Sequence, residues 1–236
     1  VTGSGVARLL EEIKRFNKKI KFYQASSSEM FGKESSLNKN ENTAFHPISP
    51  YAIAKVQAYW TTRLYRESYG MFTVNGILFN HESPLRGIDY VTRKISNGVA
   101  KISLGIEKEL KLGNIDARRD WGFAPEYMQG IHSMMKQKKP DDYILATGET
   151  HSIKEFVREA CKIADIPLTK IKSQKSNLRP NDIQVIKGNC NKAKKILHWK
   201  PKTKFKDLVR IMVQEDIKRW KKFLNKEPQP WDLVQY

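Results

Sequence analysis

The sequence has little that would tie it to a membrane, a metal or an oxidising compartment. Hydrophobic residues make up only 39% of the chain, and no apolar run approaches the ~18 residues that cross a bilayer. Cysteine is nearly absent. Cys161 and Cys190 stand alone, without the paired spacing of a zinc or dithiol site. That excludes a disulfide scaffold and reads as two structural thiols in a reducing cytoplasm. Repeats and low-complexity tracts are missing too. The start, Val1-Thr2-Gly3-Ser4-Gly5, lacks an initiator Met and the basic and apolar regions of a signal peptide, which reads as a truncation or a processing point. Acidic residues are the short side of the charge balance: 25 against 43 Lys and Arg, a formal net charge of +18. Such an excess reads either as a lysine-rich solvated surface or as a field that gathers anionic ligands, nucleic acid included. The basic residues are spread along helical stretches such as 11–21 and 192–204, with no aromatic RNA-binding signature. This favours the solvated surface, and a partner list without membrane or nucleic acid.

What is there is an alternation of elements. At 236 residues the chain has room for one large domain or two small ones. Val6, Leu9, Leu10, Ile13 and Phe16 follow helical spacing, and residues 21–25 read as a short buried strand. A polar loop over 26–47 follows. Ser49 is then an N-cap with Pro50 at the first helical position, and the helix runs to Tyr69 and stops at Gly70. Residues 73–79 read as a strand, 80–90 as a loop, 91–104 as a helix, 109–112 as a strand and 114–121 as irregular. Helices over 124–137, 152–164, 191–197 and 206–223 and a strand over 143–146 complete the order, with mixed loop and strand over 170–188. Strand, helix, strand, helix in the first 80 residues predicts a parallel sheet with crossover helices. The expected fold class is α/β: a partial Rossmann-type parallel sheet with flanking helices plus a smaller α/β substrate-binding lobe. The expected division is residues 1–80 for the sheet and 81–236 mainly for the lobe, with segments returning to the sheet.

The chemistry-bearing residues follow strand ends, where open α/β sheets bind ligands. Tyr51-x-x-x-Lys55 in a helix puts a phenol and an ammonium on one face, one turn apart. The ammonium favours the phenolate by charge, which makes the tyrosine a usable acid/base. Alone, that spacing arises often by chance, and Ser26-Ser27-Ser28-Glu29 alone reads as a turn with a solvated acid. Together, a hydroxyl, a carboxylate and the Tyr–Lys pair make an oxidoreductase-type site. Asn80-His81-Glu82-Ser83-Pro84-Leu85-Arg86-Gly87 is a dense polar loop. Its His81 reads as a base or, preferably, as a backbone- or cofactor-bonding group. Lys94, Asn114, Arg119 and Arg179 are scattered cationic and polar groups that suit a diphosphate if they converge.

Several runs resemble the GDP-mannose 4,6-dehydratase family of extended short-chain dehydrogenase/reductases. They are Gln24 to Gly32, Ser49-Pro50-Tyr51-Ala52-x-Ala54-Lys55, Tyr65 to Gly70, Asn75 to Gly87, Val91-Thr92-Arg93-Lys94 and Arg119-Asp120-Trp121-Gly122. The likeness extends from near Val1 to about Asp216. The run from Asn80 to Gly87 is more specific than Tyr-x-x-x-Lys, which the whole superfamily shares.

The resemblance implies dehydration of GDP-mannose to GDP-4-keto-6-deoxy-mannose with NADP as cofactor. Tyr51 would take the O4 proton as hydride leaves C4. Glu29 would take the C5 proton, Ser27 and Glu29 would help water leave C6, and the hydride would return to C6. Lys55 would hold the nicotinamide ribose, with His81 and Arg86 beside the cofactor. Asn80, Lys94, Asn114, Arg119 and Arg179 would contact the GDP-sugar. It also implies a homo-oligomer, dimer or tetramer. Ser27 stands where the family usually has Thr, which keeps the hydroxyl, and Ala124-Pro125-Glu126-Tyr127 replaces Ala-x-Asp-Tyr. The family's amino-terminal portion, with the Gly-rich turn, is not in this sequence. The expectation is therefore that the polypeptide alone is inactive and poorly stable. The alternatives are a dehydratase of another GDP-sugar such as a GDP-heptose, an epimerase or reductase of the superfamily, a non-catalytic basic binding module, and a degenerate remnant.

Overall fold

The computed structural model describes residues 2–36, 38–173 and 185–227. It begins with α1 (Ser4–Phe16), β1 (Phe22–Ser27), a 3-10 turn (Ser28–Phe31), α2 (Pro50–Tyr69), β2 (Thr73–Leu78) and β3 (Asn80–Glu82). Next come α3 (Val91–Ser103), β4 (Leu110–Leu112), β5 (Arg118–Arg119), β6 (Trp121–Phe123), α4 (Ala124–Met135) and β7 (Asp142–Leu145). The remainder is β8 (His151–Ser152), α5 (Ile153–Ala164), β9 (Ile171–Ser173), β10 (Val185–Ile186), α6 (Asn191–Leu197) and α7 (Phe205–Leu224). The chain divides into two compact units: 1–81 with 119–150 and 183–202, and 82–118 with 151–182 and 203–236.

The first unit is built on a parallel sheet of order β1-β2-β7. β1 runs beside β2 with Phe22 opposite Thr73 and Ser27 opposite Leu78, and Asn75 to Leu78 of β2 face Asp142 to Leu145 of β7. Every residue of β2 is buried, as expected of a parallel strand covered on both faces. Period-two alternation sorts its side chains. Val74 and Leu78 join Tyr143, Leu145, Tyr127, Met134, Leu197 and Trp199 on one face. Ile77 joins Ile144, Met30, Phe31, Tyr59 and Phe79 on the other. α2 packs on β1 and β2 and against α1, whereas α4 and α6 lie on β2 and β7.

Local sequence dictates these elements. The Ser49 hydroxyl accepts from the Ala52 amide at 3.1 Å, Pro50 opens the helix, and Gly70 closes it at φ 65°, a left-handed value that costs glycine nothing. At the far margin of the sheet, the Glu41 carboxylate accepts from the Ile144 amide of β7 at 2.9 Å. Burial pushes that carboxyl up from its ordinary value.

The second unit packs α3, α5 and α7 against one another and sets the parallel pair β4-β9 beside α3. A reciprocal cap starts α5: Ser152 accepts from the Glu155 amide, and Glu155 from the Ser152 amide. Where α3 meets β4, Gly98 lets Leu110 pack close, since a Cβ there would stand 2.8 Å from a Leu110 methyl and push that side chain aside. Cys161 and Cys190 are both buried and free. Burial raises both thiols, Cys161 to about 11, which leaves them poor nucleophiles.

The main departure from the sequence expectation lies at 26–47. Ser26 and Ser27 are strand rather than loop. The Ser26 hydroxyl, which could have turned back on its own backbone, instead donates to Asn75 Oδ1 on the next strand at 3.1 Å. The stretch expected to be irregular, 114–121, contains β5 and the first residue of β6. Residues 228–236, which include Pro228 and Pro230, lie outside the described residues.

Candidate active site

At the carboxyl end of β1, Ser27 caps the 3-10 turn and its hydroxyl accepts from the Glu29 amide at 3.2 Å. Met30 and Phe31 anchor this turn, each with no exposed surface, and leave Glu29 facing outward. Gly32 ends it at φ 50°, where any Cβ would strike the His46 carbonyl. The turn therefore has one shape, with a fixed hydroxyl and a solvated carboxylate two residues apart.

α2 brings the Tyr–Lys pair to the same strand end. Tyr51 lies in the first turn of the helix and is 47% exposed. Lys55, one turn on, is half-buried and donates to the Ala25 carbonyl at 2.7 Å. Its ammonium stands 5.6 Å from the Tyr51 ring centre. Burial lowers the Lys55 pKa, because desolvation disfavours the ammonium. One carbonyl acceptor, two residues before Ser27, thus fixes Lys55, and the structure brings Ser27, Glu29, Tyr51 and Lys55 to one end of the sheet.

Beyond β2, His81 Nδ1 lies 2.9 Å from the Phe79 carbonyl, and its ring stacks on Tyr127 with 5.1 Å between centres. Asn80 is half-buried at the start of β3, and Arg119 half-buried at the end of β5. Asp120, next to Arg119, has no exposed surface. It accepts from the Thr147 amide and hydroxyl and from the Gly148 and Gly188 amides. Burial raises its pKa despite those donors.

The second unit holds Arg86, Lys94 and Asn114. Arg86 Nε is 3.3 Å from the buried Glu82 carboxylate, and its guanidinium lies 3.5 Å from the Tyr90 ring centre. Glu82 also accepts from the Thr92 hydroxyl at 2.6 Å, and burial raises its pKa. Lys94 is exposed on the first turn of α3. The Asn114 side-chain carbonyl accepts from the Asp116 amide at 3.0 Å. Arg179 lies outside the described residues.

Sequence reasoning named Glu82 and Asp120 only within longer runs, with no role of their own, and missed Asp142 of β7; all three are buried carboxylates. Asp120 and Asp142 find their partners far along the chain, so no local pattern announces them, whereas Glu82 is held by Arg86 and Thr92, four and ten residues on. The readable signal was the spacing of Lys55, Tyr59, Thr62 and Arg66, a polar stripe along one helix face.

Comparison with known proteins places this geometry in context. A family model described as GDP-mannose 4,6 dehydratase matches residues 1–212. The chain is 46% identical to a GDP-mannose 4,6 dehydratase of Dictyostelium discoideum, covering 92% of this chain and 67% of that protein. It is 42% identical to the Homo sapiens protein of that name, covering 92% and 64%. The chain thus spans about two thirds or somewhat less of the curated relatives it matches. Among solved structures, RMD from Pseudomonas aeruginosa complexed with NADPH superposes with a TM-score of 0.85 at 22% identity, covering 93% of this chain and 74% of that one. A dTDP-glucose 4,6-dehydratase from Bacillus anthracis in complex with NAD gives 0.82 at 21%, covering 93% and 69%. At those identities the two structures establish the fold.

Proposed function

This chain belongs to the GDP-mannose 4,6-dehydratase family, and we propose that it carries the proton-transfer machinery for dehydration of GDP-mannose to GDP-4-keto-6-deoxy-mannose. The observation that carries the proposal is the Lys55 ammonium bonded to the Ala25 carbonyl, with Tyr51 one turn away and Ser27 and Glu29 just beyond. Tyr51 takes the O4 proton, and the adjacent ammonium stabilises its phenolate. Oxidation at C4 acidifies the C5 proton, which Glu29, the outward-facing carboxylate, takes. The Ser27 hydroxyl, with Glu29, assists departure of the C6 hydroxyl.

The proposed cofactor is NADP, and the residues present fit it. A half-buried ammonium beside an exposed phenol at the end of parallel strands suits ribose hydroxyls. The flat guanidinium of Arg86, backed by Glu82 and Tyr90, suits phosphate. When bound, NADP supplies the acceptance of hydride from C4 and its return at C6. His81 and Arg86 are assigned to the cofactor, and Asn80, Lys94, Asn114, Arg119 and Arg179 to the GDP-sugar. Residues 1–80 are assigned mainly to the cofactor and 81–236 mainly to the substrate. The proposed assembly is a homodimer or homotetramer. Among the described residues no helix is long and apolar enough to cross a membrane, and the buried free thiols suit a reducing cytoplasm.

Incubation with NADP and GDP-mannose deuterated at C4, both of this chain and of a polypeptide that adds the family's amino-terminal portion to it, tests the function. Arrival of the label at C6 of the keto-deoxy product supports it. Product from a GDP-heptose and none from GDP-mannose would replace the substrate. Salt-sensitive polyanion binding with no affinity for either sugar would turn the reading to a basic binding module.

A further inference from the structure

We propose that Asp142 is a positioning residue that sets the spacing between the Tyr51–Lys55 pair and the Ser27 turn. This rests on the assignment of those four groups to the proton-transfer site.

Asp142 opens β7 and is 4% exposed. It accepts two hydrogen bonds from Arg66, at 2.8 Å each, one from the Tyr59 hydroxyl at 2.9 Å and one from Asn75 Nδ2 at 2.9 Å. Two routes lead from it to the site. The first runs through α2. Lys55, Tyr59, Thr62 and Arg66 share one face of that helix, and each is tied to the sheet by a directional bond. Arg66 reaches Asp142 and the Thr73 carbonyl, and the Thr62 carbonyl accepts from the Thr73 hydroxyl. Tyr59 reaches Asp142, its carbonyl accepts from Asn75, and Lys55 reaches the Ala25 carbonyl. Apolar packing lets a helix slide by a fraction of a residue, whereas a row of hydrogen bonds fixes its advance along the axis. The second route runs across the strands. Asn75 Oδ1 accepts from the Ser26 hydroxyl, and Ser26 stands between Ala25, the acceptor of Lys55, and Ser27. One carboxylate therefore holds both sides of the site.

The bonds to Asp142 come from Arg66, Tyr59 and Asn75, so its effect on Lys55 and on the Ser27 turn is transmitted. Disturbing Asp142 lets α2 shift relative to β1, and Lys55 then stabilises the Tyr51 phenolate less.

The test is the titration of Tyr51, read by ultraviolet absorbance as the difference between a chain and its Tyr51→Phe counterpart. It is run in the unaltered full chain, with Asp142→Asn and with Tyr59→Phe. The expected result is a midpoint for Tyr51 raised by about half a pH unit with Asp142→Asn, and by less with Tyr59→Phe, which leaves Arg66 and Asn75 on Asp142. Should Asp142→Asn fail to fold, Tyr59→Phe carries the reading. A midpoint that does not move in whichever variants fold, while their urea midpoints fall, overturns the proposal and leaves the network a prop for the fold alone. The titration needs neither substrate nor turnover. A moved midpoint with no action on GDP-mannose would therefore retain the positioning role and discard only the substrate.

Discussion

Each unit is tied together by a buried aspartate bonded to arginine, and the two aspartates respond in opposite directions. In the first unit Asp142 accepts a bidentate Arg66, Tyr59 and Asn75. Burial raises its pKa, but the Arg66 bonds and charge, with Asn75 and Tyr59, outweigh that, and the net effect is downward. In the second, Asp216 of α7 has no exposed surface. It meets Arg93 at 2.8 and 3.0 Å, Arg219 at 3.3 Å and the Ser96 hydroxyl at 2.5 Å. Here burial prevails over both arginines and the pKa is raised. An ion pair in a structure is therefore no guarantee of a strong acid. What decides is whether donors to the carboxylate outweigh the loss of water. Arg93 and Arg219 each also donate to the Pro84 carbonyl, and Arg93 to that of Arg86. Arg66 shares its donors too, Nη1 also reaching the Thr73 carbonyl, but each of its terminal nitrogens makes a 2.8 Å bond to Asp142 and two neutral donors, Tyr59 and Asn75, join it there.

The harshest way to break the comparison is Asp216→Ala, which strands Arg93 and Arg219 as buried cations. Its cost is expected to be about 3–5 kcal/mol, read by urea denaturation. The variant Arg93→Leu should cost less than Asp216→Ala, since Arg219 and Ser96 remain on the carboxylate. In the first unit, Tyr59→Phe removes one neutral donor from Asp142 and should cost about 1 kcal/mol in the same measurement. Ser49→Ala, which strips the cap from α2 without touching either aspartate, should also cost about 1 kcal/mol, and sets the scale of a purely local loss.

The mildest test is acidification, and the signs differ. Asp142, lowered in the folded state, contributes stability that is present above its unfolded pKa near 3.8 and is lost as pH falls through the lower folded value. Asp216, raised in the folded state, detracts from stability at neutral pH. That deficit is recovered as pH falls through its folded value towards the unfolded one near 3.8. Carboxyl NMR titration should find Asp142 ionised below pH 3.8 and Asp216 protonated above it. The same order for both residues would void the contrast.

The elements also differ in how far the sequence disclosed them. α2 was legible to its ends because Ser49, Pro50 and Gly70 are local signals. β2 was legible because Thr73, Val74, Ile77 and Leu78 are apolar or β-branched, even though Asn75 and Gly76 interrupt the run. β3, β5 and β6 span two or three residues, too few for any period to register. Tyr51 and Lys55 could be read because their spacing is helical. The partners of Asp142 could not, because Asn75, Arg66 and Tyr59 precede it by 67, 76 and 83 positions, and only the folded sheet brings them together.

The carboxylate of Glu41 on the Ile144 amide has a bearing on how the molecule behaves in a crowded solution. β7 is the last strand of its sheet among the described residues, and an outer strand with open amides invites a passing chain to add itself as the next rung. By occupying one of those amides with its half-buried carboxylate, Glu41 denies such an intruder its foothold. Its replacement by Ala should show first as turbidity on standing, before any fall in melting temperature.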